Sequence, residues 1–133
     1  NSGTNERSGD PMTSKVRILC VDDEHAIRTL LMSQLEQEGY DVDIAEDGDV
    51  AIEKLGKSRF DVILLDIRMP RVGGIDVLRH IRDSGMKSRV IMLTAVDDLT
   101  IAMESVRLGA SDYLTKPFDT EDLFSAIRRV SAT

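Results

Sequence analysis

Three aspartates follow two short apolar segments of the chain. Asp22 and Asp23 come directly after the segment 16–21, and Asp66 comes directly after the segment 62–65. If both segments are parallel strands that end side by side, three carboxylates meet at one edge of a sheet. Like charges this close repel and raise each other's pKa. A hard cation relieves that repulsion, and Mg²⁺ is usually held by one or two carboxylates together with water and phosphate oxygens.

Two more polar residues follow apolar segments in the same way. Thr94 comes after the segment 90–93, and Lys116 comes after the segment 113–115. A hydroxyl, a lysine, several carboxylates and a metal ion at one sheet edge indicate phosphoryl chemistry, because cations offset the charge on the oxygens of a transferring phosphoryl group.

The elements that must position these residues alternate along the chain. The patterns predict strands at 17–21, 42–44, 62–65, 90–93 and 113–115, and helices at 24–37, 48–57, 74–83, 97–108 and 119–131. In the fourth helix the spacing predicts that Leu99, Met103 and Val106 point inward. Five strand–helix units predict an α/β fold with a parallel sheet and helices on both faces. Ligands of such sheets bind at the carboxyl ends of the strands.

Composition limits the functions that the chain can have. Its 133 residues suit one domain, and the net charge of -7 argues against binding to nucleic acid or to an anionic membrane surface. The single cysteine, Cys20, excludes a disulfide within the monomer. No segment approaches the ~20 apolar residues of a membrane span, so we expect a cytoplasmic protein. Residues 1–14 lack periodicity, and we expect a disordered leader or a cloning remnant before the folded domain at 15–133.

Four stretches of the chain form a specific set when they are taken in order: ILCVDDE at 18–24, LLDIRMPRVGG at 64–74, MLTA at 92–95 and GASDYLTKPF at 109–118. With these stretches the chain resembles the receiver domain of two-component response regulators, the CheY-like superfamily. The resemblance covers about residues 16–131. It implies the flavodoxin-like doubly wound (βα)5 fold, whose five parallel strands have the order 2-1-3-4-5.

The resemblance also implies a function for the sheet edge. Asp66 would accept a phosphoryl group from the phosphohistidine of a sensor histidine kinase or a histidine phosphotransfer protein. Asp23, Asp66 and the backbone carbonyl of Arg68 would ligate Mg²⁺, or Mn²⁺ in its place, and Asp22 would act through a bound water. The protein would be a signalling phosphoacceptor that catalyses only its own phosphotransfer and dephosphorylation.

A switch is the second implication of the resemblance. Thr94 would donate a hydrogen bond to one phosphoryl oxygen, and Lys116, aimed inward by a cis bond to Pro117, would pair with another. Tyr113 would then change rotamer and alter the surface formed by residues 97–131. That surface would control an output domain or a downstream protein, or support a dimer that forms on phosphorylation.

Simpler roles and other classes remain open from the sequence. The Asp22-Asp23 pair also suits a helix cap, and Tyr113 also suits a half-buried core position. The runner-up function is a receiver-like interaction module that works without phosphorylation. An aspartate-nucleophile phosphatase would need a second acid where this chain has Arg68, and a flavodoxin would need a hydroxyl-rich loop after the first strand. Gly73-Gly74, where receivers usually have one glycine, predicts a looser loop after Asp66.

Overall fold

The computed structural model describes residues 15–132, so the predicted leader at 1–14 lies outside the described residues. The strands are β1 (Arg17–Val21), β2 (Asp41–Ala45), β3 (Val62–Asp66), β4 (Arg89–Ala95) and β5 (Asp112–Lys116). The helices are α1 (His25–Gln37), α2 (Gly48–Lys57), α3 (Gly74–Asp83), α4 (Leu99–Arg107) and α5 (Thr120–Ser131). A 3-10 turn, Val96–Asp98, lies between β4 and α4. The predicted alternation of strands and helices is therefore confirmed.

The strands form one parallel five-stranded sheet in the order β2-β1-β3-β4-β5. This order confirms the predicted flavodoxin-like topology. The chain leaves β1 toward β2 on one side and returns to β3 on the other, so the strand order reverses between β1 and β3. Ligands of doubly wound sheets bind beyond the strand ends at such a reversal. Register places Val21 beside Leu65 and Asp66 beside Leu93, so the predicted site residues share this edge.

The core consists of two apolar layers, one on each face of the sheet. One layer lies under α1 and α5 and includes Leu35 and Ile127. The other lies under α2, α3 and α4 and includes Leu55, Leu78 and Ala102. Every residue of β3 is buried, as expected for a central parallel strand covered on both faces. The central strands are thus fixed by packing from both sides, which gives the site at their ends a rigid base.

Helix α4 corrects one sequence prediction. Leu99, Met103 and Val106 do not point inward; they are 37%, 62% and 42% exposed. The buried side of α4 is instead made by the small residues Ala102 and Ser105. The Ser105 hydroxyl donates a hydrogen bond to the Ile101 carbonyl at 2.9 Å, which satisfies it inside the helix. A side of small residues lets α4 lie close to the sheet, and the larger apolar stripe is left facing outward.

Candidate functional site

The predicted site residues converge at the carboxyl end of the sheet. Asp22 directly follows β1, and Asp66 and Lys116 are the last residues of β3 and β5. Thr94 lies one residue before the end of β4, opposite Thr115. A cavity of about 320 Å³ opens at this edge. Its lining consists of Asp23, Glu24, Asp66, Ile67, Arg68, Thr94, Ala95, Asp98 and Lys116.

The three aspartates form the acidic cluster that the sequence predicted. Asp22, Asp23 and Asp66 each offer a carboxylate oxygen, and these oxygens all lie within 4.8 Å of one another. Asp22 and Asp66 are buried, whereas Asp23 is exposed. Carboxylate oxygens at this spacing fit a hard cation such as Mg²⁺, which prefers oxygen ligands and retains water on its open side. The role of the Arg68 backbone carbonyl as a further ligand stays a prediction.

The pKa of Asp66 shows the electrostatic effect of the cluster. Its burial, together with the nearby charge of Asp22 and the weaker effect of Asp23, raises the pKa of the Asp66 carboxyl from 3.8 to about 7. Lys116 and a backbone hydrogen bond from Arg68 act in the opposite direction but do not restore the ordinary pKa. A cation that bound beside Asp66 would favour its ionised form, which is the form that can act as a nucleophile.

Lys116 lies between the acidic side chains. Its Nζ atom is 2.7 Å from Asp22 Oδ2, 3.5 Å from Glu24 Oε1 and 3.6 Å from Asp66 Oδ1. Burial acts to lower the pKa of the ammonium, but the hydrogen bond to Asp22 and the neighbouring acidic charges outweigh it and raise that pKa. The bond between Lys116 and Pro117 is cis, as the resemblance implied. Lys116 therefore stays charged, and its shortest contact is to Asp22, not to Asp66.

Both carboxylate oxygens of Asp22 are bonded to groups within the protein. One of its oxygens accepts the Lys116 hydrogen bond, and the other accepts a hydrogen bond from the Glu24 backbone N–H at 3.0 Å. The N-cap residue of α1 is Glu24, and its side chain makes no capping hydrogen bond. The alternative role of the aspartate pair as an N-cap of α1 is therefore wrong; Asp22 braces the turn between β1 and α1.

The two predicted switch residues lie on the path from the cavity toward α4. Thr94 is buried, and its hydroxyl donates a hydrogen bond to the Ala95 carbonyl at 3.1 Å. Tyr113 is partly buried and packs against the core layer that lies under α2, α3 and α4. Its position is compatible both with a rotamer switch and with an ordinary core tyrosine, so the switch role stays a prediction.

The loop between β3 and α3 is held at two places, in contrast to the looser loop that Gly73-Gly74 predicted. Within the loop, Arg71 Nη2 lies 2.9 Å from Asp47 Oδ2. At the start of α3, a Cβ atom on Gly74 would lie 2.2 Å from the backbone oxygen of Asp66, so the chain can pass there only with glycine. The second glycine provides close packing rather than freedom.

A further ion pair, which the sequence did not predict, lies at the mouth of the cavity. Arg68 Nε and Nη2 donate hydrogen bonds to the two carboxylate oxygens of Asp98 at 2.6 and 2.7 Å. The pair joins the loop after β3 to the turn before α4, across a separation of 30 residues. No short-range pattern signals a contact over that distance, although both residues follow strand ends and so share one sheet edge.

Comparison with known proteins agrees with this geometry. The response regulator receiver domain family matches residues 18–128. The chain therefore belongs to the receiver domain family of two-component response regulators. Members of this family are signalling phosphoacceptors rather than ordinary enzymes.

Curated relatives give the same assignment. The chain is 42% identical over 115 residues to the transcriptional regulatory protein TrcR of Mycobacterium tuberculosis, covering 86% of this chain and 45% of that relative. It is 41% identical over 113 residues to the response regulator MprA of Mycobacterium leprae, covering 85% of this chain and 50% of that protein. The chain thus spans about half the length of the curated relatives it matches.

Solved structures of similar proteins share the fold. The chemotaxis protein CheY4 of Vibrio cholerae superposes with a TM-score of 0.82 at 34% identity, covering 88% of this chain and 99% of that one. The receiver domain of NtrX from Brucella abortus gives a TM-score of 0.84 at 30% identity, with coverage of 87% and 98%. Among residues 15–132, no helix has the length and apolar character that crossing a membrane requires.

Proposed function

We propose that Asp66 receives a phosphoryl group from the phosphohistidine of a sensor histidine kinase or a histidine phosphotransfer protein. The observation that supports this proposal best is the placement of Asp66. It is a buried carboxylate at the end of the central strand, inside an acidic cluster and 3.6 Å from the ammonium of Lys116. Three carboxylates this close together repel one another, so the arrangement is unfavourable unless a function requires it, and few other functions do.

In the proposed reaction an oxygen of the Asp66 carboxylate attacks the phosphorus atom. The bond from phosphorus to the partner's imidazole nitrogen breaks, and its electron pair stays on the imidazole, which takes up a proton. The product on this chain is an aspartyl phosphate. The protein's contribution is to position the carboxylate and to offset charge, as in other phosphoryl transfers.

The charge is offset from two directions. Asp23, Asp66 and the Arg68 backbone carbonyl would hold Mg²⁺, or Mn²⁺ in its place, and Asp22 would contact it through water. When bound, the metal supplies positive charge next to the phosphoryl oxygens. Lys116 already faces Asp66 and would move from Asp22 toward a phosphoryl oxygen. Thr94 would exchange its hydrogen bond to Ala95 for one to another oxygen.

The proposed output surface consists of α4, β5 and α5, within residues 97–131. The exposed apolar side chains of Leu99, Met103 and Val106 lie there and would suit contact with an output domain, a downstream protein or a second phosphorylated copy. Movement of Thr94 would open space that Tyr113 could enter. A partner kinase would recognise this site, and the domain would work in the cytoplasm as one step of a phosphorelay.

The test is labelling of the isolated chain. A small phosphodonor such as acetyl phosphate with Mg²⁺ should add one hydroxylamine-labile phosphoryl group, measured by intact mass. Asp66→Asn should abolish the label, whereas Asp83→Asn, an exposed aspartate at the end of α3, should leave it unchanged. Full labelling of the Asp66→Asn variant would move the chemistry elsewhere. Absence of any label on the wild type would favour the phosphorylation-independent interaction module.

The switch needs a separate measurement. Beryllofluoride, which mimics a phosphoryl group on a carboxylate, should shift amide signals within residues 94–118. Such a ligand changes the populations of two packings only if it binds one of them better. Amide shifts confined to residues 40–58, with residues 94–118 silent, would refute this route.

A further inference from the structure

The Arg68–Asp98 pair is asymmetric. The Asp98 side chain is 7% exposed, whereas the Arg68 side chain is 70% exposed. The exposed Arg68 side chain therefore has solvent in which to move once its hydrogen bonds break, whereas the Asp98 side chain is buried in the turn before α4. Both residues line the cavity that contains Asp66. The arginine is the movable partner, and it is within the same cavity as the proposed phosphoryl group.

Asp98 also lies at the start of α4, where an aspartate side chain can cap the helix. It is the N-cap residue of α4, and aspartate is among the residues favoured there, because its carboxylate accepts hydrogen bonds from the N–H groups of the first turn. In this structure the Asp98 side chain makes no capping hydrogen bond. Both of its oxygens are bonded to Arg68 instead. The ion pair holds the Asp98 carboxylate turned toward Arg68, and in that orientation it makes no capping hydrogen bond. Pairing with Arg68 and capping α4 thus compete for the orientation of one side chain.

A phosphoryl group on Asp66 would change the balance of that competition. It brings roughly two negative charges and strong acceptor oxygens, and a guanidinium binds such oxygens in the same forked geometry that it uses with a carboxylate. Asp98, which has one negative charge, then competes for Arg68 with a phosphoryl group in the same cavity that has about two negative charges.

We propose that Arg68 is a phosphoryl-binding residue that Asp98 holds at rest. On phosphorylation Arg68 leaves Asp98 for the phosphoryl group, and the freed Asp98 carboxylate caps the first turn of α4. The inference rests on the proposed function for the phosphorylated state only; the competition for Asp98 is a property of the unphosphorylated chain. It connects the site to α4 by a route that does not use Thr94 or Tyr113.

The first test needs neither a phosphodonor nor metal. Arg68→Met removes the competing cation, so Asp98 should cap α4 at rest. Exchange of the Thr100 and Ile101 amide protons, followed by NMR, should then slow by roughly 2- to 10-fold. Asp98→Asn should slow it similarly, because asparagine caps as well as aspartate but does not form the ion pair. Asp98→Ala, which can do neither, should show no slowing. Faster exchange in Arg68→Met would overturn the proposal, because it would mean that the pair merely holds the turn in place.

The second test measures binding of beryllofluoride with Mg²⁺. Asp98→Asn frees Arg68 and should tighten binding by roughly 2- to 5-fold, the range for a partly exposed ion pair. Arg68→Met should weaken binding, and adding Asp98→Asn to it should then have no further effect. The control Asp97→Asn removes one charge from the neighbouring exposed position and should leave binding nearly unchanged. Equal tightening by Asp98→Asn with and without Arg68 would show a general charge effect and refute the proposal.

The two tests separate this inference from the proposed function. If the wild type binds no beryllofluoride and accepts no phosphoryl group, the proposed function fails, and phosphoryl binding by Arg68 fails with it. The amide exchange of the Arg68→Met chain still decides whether Arg68 keeps Asp98 from capping α4. If the wild type is labelled at Asp66 and the exchange rates do not respond, only the Arg68 inference is wrong.

Discussion

Neutralising Asp66 should stabilise this domain, because burial and neighbouring negative charge make the ionised Asp66 carboxylate unfavourable in the folded state. In Asp66→Asn the side chain keeps its shape and loses its charge. The pKa of the Asp66 carboxyl is raised from 3.8 to about 7, first by burial and then by the charge of Asp22. This rise in the pKa of Asp66 corresponds to about 4 kcal/mol, which is the upper limit of the gain. Solvent in the open cavity screens part of the repulsion, so we expect a gain of about 1–3 kcal/mol.

The sign of the pH dependence follows from the same shift. Because the folded pKa lies above the unfolded one, protonated Asp66 favours the folded state, and this contribution is lost as the pH rises from about 4 to about 7. The free energy of unfolding of the wild type should therefore fall over that interval relative to the variant. Urea denaturation should give equal stabilities for the two proteins near pH 4 and the full difference near pH 8.

Magnesium provides the internal control for this experiment. An ion bound by the aspartates stabilises the folded wild type by RT ln(1 + [Mg²⁺]/Kd), about 1.4 kcal/mol at tenfold excess over Kd. The variant has lost one ligand and should gain less, so millimolar Mg²⁺ should narrow the difference at pH 8. Asp83→Asn changes net charge equally but lies outside the cluster, and it should shift stability by less than about 1 kcal/mol with no response to Mg²⁺. Equal stability of the wild type and Asp66→Asn near pH 8 without Mg²⁺ would refute the reasoning.

Three other perturbations test the packing around the site. Lys116→Met should destabilise the fold by about 2–4 kcal/mol, because it strands the buried Asp22 carboxylate, and adding Asp22→Asn should recover much of that loss in denaturation experiments. Gly74→Ala should destabilise by at least about 2 kcal/mol, since its Cβ would lie 2.2 Å from a backbone oxygen of β3. Gly56→Ala, with nothing within 4 Å, is the matched control and should stabilise α2 by about 0.5–1 kcal/mol. Burial raises the pKa of the Cys20 thiol, so a thiol reagent at pH 8 should react with it only at the rate of unfolding; prompt reaction in the native state would contradict its burial.

Much of the fold could be predicted from the sequence because local and global signals agree in it. Helices α2 and α3 begin and end where their patterns indicate, and the glycines after α1 and α4, Gly39 and Gly109, adopt the positive φ angles that end a helix. The central strands are continuous apolar runs because both of their faces are covered. Each such run ends at the same sheet edge, and for this reason sequence position alone groups the aspartates with Thr94 and Lys116.

The failures have a different physical origin. The apolar stripe of α4 has helical spacing, but spacing alone does not say which side of a helix meets the sheet. Small residues such as Ala102 and Ser105 allow closer approach than the stripe does, and this preference depends on the space above β4 and β5. The Arg68–Asp98 and Lys116–Asp22 pairs are likewise choices among several acidic neighbours at one edge, and only geometry decides them.

Those choices determine how a phosphoryl group would be sensed. Lys116 is bonded to Asp22, and Arg68 is bonded to Asp98, so both cations that line the cavity already have acidic partners. A phosphoryl group on Asp66 can attract either cation only by taking it from its partner. Each exchange releases a carboxylate at the start of a helix: Asp22 lies before α1, and Asp98 is the N-cap residue of α4. New charge at the end of β3 would therefore affect helix ends on both sides of the sheet, because each cation must leave an acidic partner before it can bind the phosphoryl group.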